Sequence, residues 1–141
     1  MPTLCDVNVL LALCYDGHVH HPQALTWLED QDDFGVTLCR NTQLGLLRLL
    51  SNPAVMGQDA CTPEQAWDIY DIILRDTRFE YITEPEGLEP FFRLYSSAGQ
   101  VSPKLWQDAY LAGFARAAKL RLVTFDRGFS KFKGLQLTLL G

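Results

Sequence analysis

Cysteine is sparse and unpatterned. Cys5, Cys14, Cys39 and Cys61 include no C-x-x-C pair and precede no paired histidines, which argues against zinc ribbons and dithiol redox sites. Three of them sit in or beside apolar runs, where a free thiol behaves as a small buried hydrophobe. No apolar run is long enough to cross a bilayer, and no charged-then-apolar leader opens the chain. The expectation is a reduced, cytoplasmic protein with no membrane contact. Positive charge is also short, with 12 Lys and Arg against 17 Asp and Glu and a net charge of -5. A protein that grips nucleic acid by charge alone is normally basic. A nuclease is still allowed, because carboxylates that hold a metal add negative charge where phosphate must bind. Repeats, low-complexity segments and linkers are missing too.

What is present fits one domain spanning residues 1–141, with 48% hydrophobic and 21% charged residues, enough to bury a core of its own. The stretch Arg121 to Asp126 reads as a short buried strand that ends on a carboxylate, with Gly128 two residues beyond. Thr3-Leu4-Cys5-Asp6 repeats the pattern at the N-terminus. Val36 to Cys39, Phe79 to Ile82 and Leu135 to Leu139 read as further strands. Helices are expected over Val7 to Tyr15, from His21-Pro22 through Leu28, over Gln43 to Leu50 behind an Asn41-Thr42 cap, and after Thr62-Pro63. Two more are expected over Pro85 to Ala98 and, behind Ser102-Pro103, over Lys104 to Lys119. Strands alternating with helices imply βαβ units, a mostly parallel sheet of about five strands, and a three-layer α/β/α fold.

In a parallel sheet, two strands that end on Asp6 and Asp126 and lie side by side bring their carboxylates into the crevice where such folds place active sites. Asp108 joins them, since its neighbours three and four residues away include Leu105, Leu111 and Ala112, with Lys104 the polar exception. A lone carboxylate on that stripe is costly unless paired, hydrogen-bonded or bound to a cation. Converging carboxylates suit Mg²⁺ or Mn²⁺, hard ions that take oxygen ligands and keep several waters. Such an ion stabilises charge on a phosphoryl transition state and lowers the pKa of water. The structural alternative is that Asp6 and Asp126 cap the segments that follow them and Asp108 pairs with an Arg.

Four blocks carry a family resemblance: Asp6-Val7-Asn8-Val9-Leu10-Leu11-Ala12-Leu13, Thr42-Gln43-Leu44-Gly45-Leu46-Leu47-Arg48-Leu49-Leu50, Trp106-Gln107-Asp108-Ala109-Tyr110-Leu111-Ala112 and Leu122-Val123-Thr124-Phe125-Asp126-Arg127-Gly128-Phe129. In this order, and over essentially the whole chain, they resemble a PIN-domain ribonuclease of the VapC toxin type. The resemblance implies a strand order of 3-2-1-4-5, Mg²⁺- or Mn²⁺-dependent cleavage of RNA, a homodimer, and a VapB-like antitoxin that blocks the site. Asp6, Asp108 and Asp126 match the family's metal-binding acids, and Asn8 and Thr124 its polar crevice residues. Gln43 stands where the family commonly has Glu. That departure implies a catalytic-site residue without charge and metal binding weaker by about an order of magnitude. It also motivates a second reading, a catalytically impaired PIN-like module that binds RNA or a protein.

Other signals are weaker. His18, His20 and His21 lack the Cys or Glu partners of a zinc site and read as a turn into the next helix. Arg116, Lys119, Arg121, Arg127, Lys131 and Lys133 form a basic segment that is either a phosphate-steering surface or a solvated helix end. Arg48 and Arg127 are candidate contacts to RNA or an antitoxin. Trp106 and the Phe91, Phe92, Tyr95 cluster fit a core or a dimer interface. A phosphotransferase with Asp6 as nucleophile is disfavoured, because the residue two on is Asn8 and no Lys stands at a strand end.

Overall fold

The computed structural model describes residues 1–98 and 100–141. Its strands β1 (Thr3–Cys5), β2 (Val36–Leu38), β3 (Phe79–Tyr81), β4 (Arg121–Thr124) and β5 (Leu137–Leu139) form one sheet in the order 3-2-1-4-5. Every pairing is parallel. The central strands β1 and β2 are buried along their whole length, as continuous apolar runs covered on both faces must be.

The helices are α1 (Val7–Cys14), α2 (His21–Glu29), α3 (Arg40–Leu50), α4 (Pro53–Met56), α5 (Pro63–Arg75), α6 (Leu88–Ser97) and α7 (Leu105–Ala118). Alternation along each strand sends neighbouring side chains to opposite cores. Cys5 and Val123 pack with Val9, Leu10, Leu46, Leu50 and Tyr70 from α1, α3 and α5. Leu4 and Leu122 pack with Leu88, Tyr95, Ala112 and Phe114 from α6 and α7. Helices on each face of the sheet make the three layers.

Four element starts differ from the sequence reading. Helix α3 starts at Arg40, not Gln43, because the cap is Cys39. Thr42 belongs to the first turn: its hydroxyl accepts from Cys39 N and donates to Cys39 O, each at 3.0 Å. Helix α6 starts at Leu88, not Pro85, after Gly87 takes a left-handed φ of 81°. Helix α7 is capped by Lys104 without a side-chain bond, so Ser102-Pro103 lies one turn upstream. At the last strand, Leu135 N bonds Phe132 O in a turn, which delays β5 to Leu137.

The outer layer of α6 and α7 is closely packed. A Cβ on Gly113 would lie 2.9 Å from Phe92 N and 3.1 Å from Phe92 Cα. Those are backbone atoms and cannot rotate aside. Gly113→Val is therefore expected to destabilise by about 3 kcal/mol, the upper end of over-packing costs, read as a lower urea midpoint at unchanged m. Arg116 helps to close the same layer. It donates to Tyr95 Oη (2.7 Å) and Lys133 O (3.1 Å) and lies over the Phe91 ring at 4.6 Å. One member of the basic segment is thus engaged within the fold. Tyr95 is buried, whereas Trp106 is exposed and meets Phe92 edge-on.

The sheet positions the site through β1 and β4. Their register pairs Cys5 with Val123, and Asp6 N donates to Val123 O at 3.0 Å. Asp6 and the Thr124-Phe125-Asp126 segment therefore leave the same edge side by side.

Candidate active site

The two strand ends are joined by one hydroxyl. Thr124, fully buried, donates its O–H to Asp6 Oδ2 at 2.7 Å. Its oxygen accepts from Asp126 N (3.0 Å) and Asn8 Nδ2 (3.2 Å), so the hydroxyl's one donor and two acceptor positions are all used. Asn8 Oδ1 in turn accepts from Phe125 N at 3.4 Å. Asp6 Oδ1 accepts from Val7 N (2.7 Å) and caps α1. Asp126 Oδ1 accepts from Gly128 N (2.8 Å), and its Oδ2 faces Lys104 Nζ at 3.8 Å. Both acids have the capping role that the structural alternative gave them, and both also face the crevice.

That crevice, with a volume of about 270 Å³, is lined by Asp6, Asn8, Asp108 and Asp126 together with Asn41, Arg48, Lys104 and Gln107. Three acids from positions far apart in sequence thus line one crevice. Burial pushes the Asp6 carboxyl up, against the pull of the Thr124 and Val7 bonds. Asp108 is pushed up to about 6 by burial and then by the charges of Asp6 and Asp126, with Lys104 and Lys131 opposing. A desolvated carboxylate beside two others favours any cation that can reach it.

The donor set fits a hard divalent ion. Its strongest donors are carboxylate oxygens, and neither His nor Cys lines the crevice. Among the described residues no three His, Cys, Asp or Glu side chains are gathered tightly enough to hold a metal as they stand. Mutual repulsion among the carboxylates opposes such gathering, and their oxygens instead face Val7 N, Thr124, Gly128 N and Lys104. The histidines stand elsewhere: His18 accepts from His20 N, His20 stacks on Phe125, and His21 Nδ1 meets Ala12 O at 2.6 Å.

Two of the residues named from the sequence lie outside the crevice lining. Gln43 is buried and does not line the crevice; it accepts a hydrogen bond from Arg40 and lies near Tyr70. On α3 the residues that line the crevice are Asn41, Gly45, Arg48 and Leu49, and Gln43 is about 200° around the helix from Asn41. Gln43→Glu is accordingly expected to leave Mn²⁺ affinity within about twofold, measured by titration calorimetry; a tenfold gain would return residue 43 to the site. Arg127 is exposed in the 3₁₀ turn after Asp126 and also lies outside the lining.

Lys104, Asn41 and Gln107 are the polar lining residues that sequence reasoning missed. The one available signal was Lys104 standing four residues before Asp108. Because Lys104 is exposed, its charge is screened. Lys104→Ala is expected to tighten Mn²⁺ binding about threefold, as removal of a cation worth under 1 kcal/mol at the mouth, readable by calorimetry.

A PIN-domain family model matches residues 3–135. The chain belongs to the PIN-domain family. Within it, the sequence is 42% identical to Ribonuclease VapC41 of Mycobacterium tuberculosis over 97% of each chain. It is 33% identical to Ribonuclease VapC44 of the same organism, over 92% of this chain and 89% of the relative. The fold of this PIN domain matches VapBC2 from Rickettsia felis, crystallised on a DNA fragment from its promoter, with a TM-score of 0.70 at 16% identity over 100% of both chains. It also matches Mycobacterium tuberculosis VapC20, a sarcin-ricin loop cleaving toxin, with a TM-score of 0.66 at 16% identity over 95% and 98% of the two chains.

Proposed function

We propose that this PIN domain is a divalent-metal-dependent endoribonuclease and the toxin of a pair with a VapB-like antitoxin. The observation that carries the reading is the meeting of Asp6, Asp108 and Asp126 in one crevice beside Lys104 and Arg48. The VapC ribonucleases to which the chain is similar over nearly its full length support it. The three aspartates would hold Mg²⁺ or Mn²⁺. When bound, the ion supplies charge stabilisation at the phosphate and a lowered pKa for water. Thr124 and Asn8 keep Asp6 and the Asp126 backbone in fixed relation, and the helix cap at Val7 orients Asp6. Lys104 and Arg48 at the rim draw in the phosphate backbone, which an acidic crevice alone would repel.

A covalent role for Asp6 is disfavoured because the residue two on is Asn8, an amide already engaged with Thr124 Oγ1 and Phe125 N and unable to act as the second acid. The impaired-module reading rested on Gln43, which faces Arg40 instead of the crevice. No described helix is long and apolar enough to cross a membrane, and a cytoplasmic location suits four free cysteines. The exposed Trp106, edge-on to Phe92, offers an apolar surface for pairing two copies. The test is hydrolysis of single-stranded RNA with Mn²⁺ or Mg²⁺, expected to stop with EDTA and return on adding excess ion. Cleavage that persists through chelation would remove the metal, and no cleavage with either ion would remove the ribonuclease.

A further inference from the structure

A second pocket, about 360 Å³ in volume, opens beside the carboxylates and shares Asn41, Gly45, Arg48 and Gln107 with their crevice. Its floor is α3: Asn41, Leu44, Gly45 and Arg48 recur at the spacing of one helix face. Gln107 and Tyr110 of α7 form the opposite wall, where the Tyr110 hydroxyl donates to Glu84 Oε2 at 2.9 Å. Arg40 closes the outer end, its guanidinium resting over the Tyr81 ring at 5.5 Å. Leu44 is 57% exposed at the centre of this polar rim.

The mixture matches the chemistry of an unstacked nucleobase. Single-stranded RNA is read by stacking on aromatic rings or guanidinium planes and by hydrogen bonds to base edges. Here an apolar surface and two guanidinium groups lie beside two carboxamides, each both donor and acceptor. A polynucleotide cut at the carboxylates continues past them, and four shared residues make this pocket the crevice's direct extension. An acidic peptide suits it less well, because Glu84 stands in the wall.

We infer that this pocket is a base-binding subsite: it takes the nucleobase next to the scissile phosphate, and Asn41 and Gln107 set which base is accepted. The inference rests on the ribonuclease reading for the identity of the polymer. Leu44 lines the second pocket and not the crevice, and its exposure leaves room for a larger side chain, so Leu44→Trp blocks the subsite in a folded protein, verified by an unchanged melting temperature.

In the Asp126→Asn background, fluorescent oligo(A), oligo(C), oligo(G) and oligo(U) of single-stranded RNA are titrated by anisotropy. Leu44→Trp is expected to weaken the best-bound oligomer about tenfold, the scale of one lost base stack. Asn41→Ala with Gln107→Ala is expected to level the four affinities. With the aspartates intact, end-mapped cleavage of a randomised RNA pool should lose its base preference at one position beside the cut and keep any preference elsewhere. Affinities within twofold in Leu44→Trp, together with an unaltered preference, overturn the subsite. So does unchanged RNA binding with lost capture of a hexaglutamate peptide, which would assign the pocket to a protein ligand. If wild type cuts no RNA, the ribonuclease reading fails by itself, and the anisotropy series still decides for or against the subsite.

Discussion

Asp126→Asn and Asp6→Asn will each lower the rate of RNA cleavage by about three orders of magnitude, the scale of losing an ion that supplies several kcal/mol of transition-state stabilisation. Both variants will remain folded. Asp126→Asn is the cleaner of the two. Its Oδ1 keeps the bond from Gly128 N, and the charge that faces Lys104 lies at an exposed rim where it contributes little to stability. At residue 6 the amide keeps the Val7 bond but presents an N–H to Thr124 Oγ1, which already accepts from Asn8 and Asp126 N. That mismatch costs on the order of 1 kcal/mol. It is offset because burial already disfavours the Asp6 charge. Cleavage of a fluorogenic RNA under saturating Mn²⁺, alongside thermal melts, measures both halves. A rate within tenfold of wild type in both variants would sink the metal mechanism, and loss of the folded signal would sink the claim that the effect is chemical.

Much of the sheet was legible because strand burial leaves a plain trace. Arg121 to Thr124 and Thr3 to Cys5 are runs that sit between two helical layers, and each is followed at once, or after Phe125, by an acid. Asp108 was legible from its helical neighbours. The order 3-2-1-4-5 came from the family resemblance, since local pattern does not say which parallel strands are adjacent. Gln43 was misplaced for a different reason. Its place came from the family resemblance, which commonly has Glu there, together with a helix start read at Asn41-Thr42 because Cys39 is a poor helix cap by type. The helix phase decides otherwise, and phase depends on how α3 lies against α1 and α5, which only tertiary packing fixes. Lys104 carried almost no signal: an exposed lysine ahead of a helix looks the same whether it faces solvent or an acidic crevice.

The pH behaviour of Asp108 gives the second large effect, with opposite signs for folding and for ion binding. Its carboxyl titrates at about 6 in the folded chain against 3.8 as the reference. A raised carboxyl favours the protonated fold, so its contribution to stability is full below pH 4 and is lost as pH rises through 6. The metal-free domain should therefore weaken across that window by about 1–2 kcal/mol, two pKa units discounted for partial exposure. Asp6, also raised by burial, acts in the same direction. Asp108→Asn removes the ionisation and should melt about 5 °C higher than wild type at pH 7.5 in EDTA. A divalent ion requires the carboxylate, so Mn²⁺ affinity should rise about tenfold per pH unit up to 6 and then level. With saturating Mn²⁺ the slope of melting temperature against pH should flatten in wild type, because the stability lost and the affinity gained per pH unit offset each other, and Asp108→Asn should show no slope from this group with or without the ion. Melts from pH 4.5 to 8 with and without the ion test this directly. A variant no more stable than wild type in EDTA would mean that Asp108 does not carry its charge into the crevice at neutral pH, and that the cation is held by the two strand-end aspartates alone.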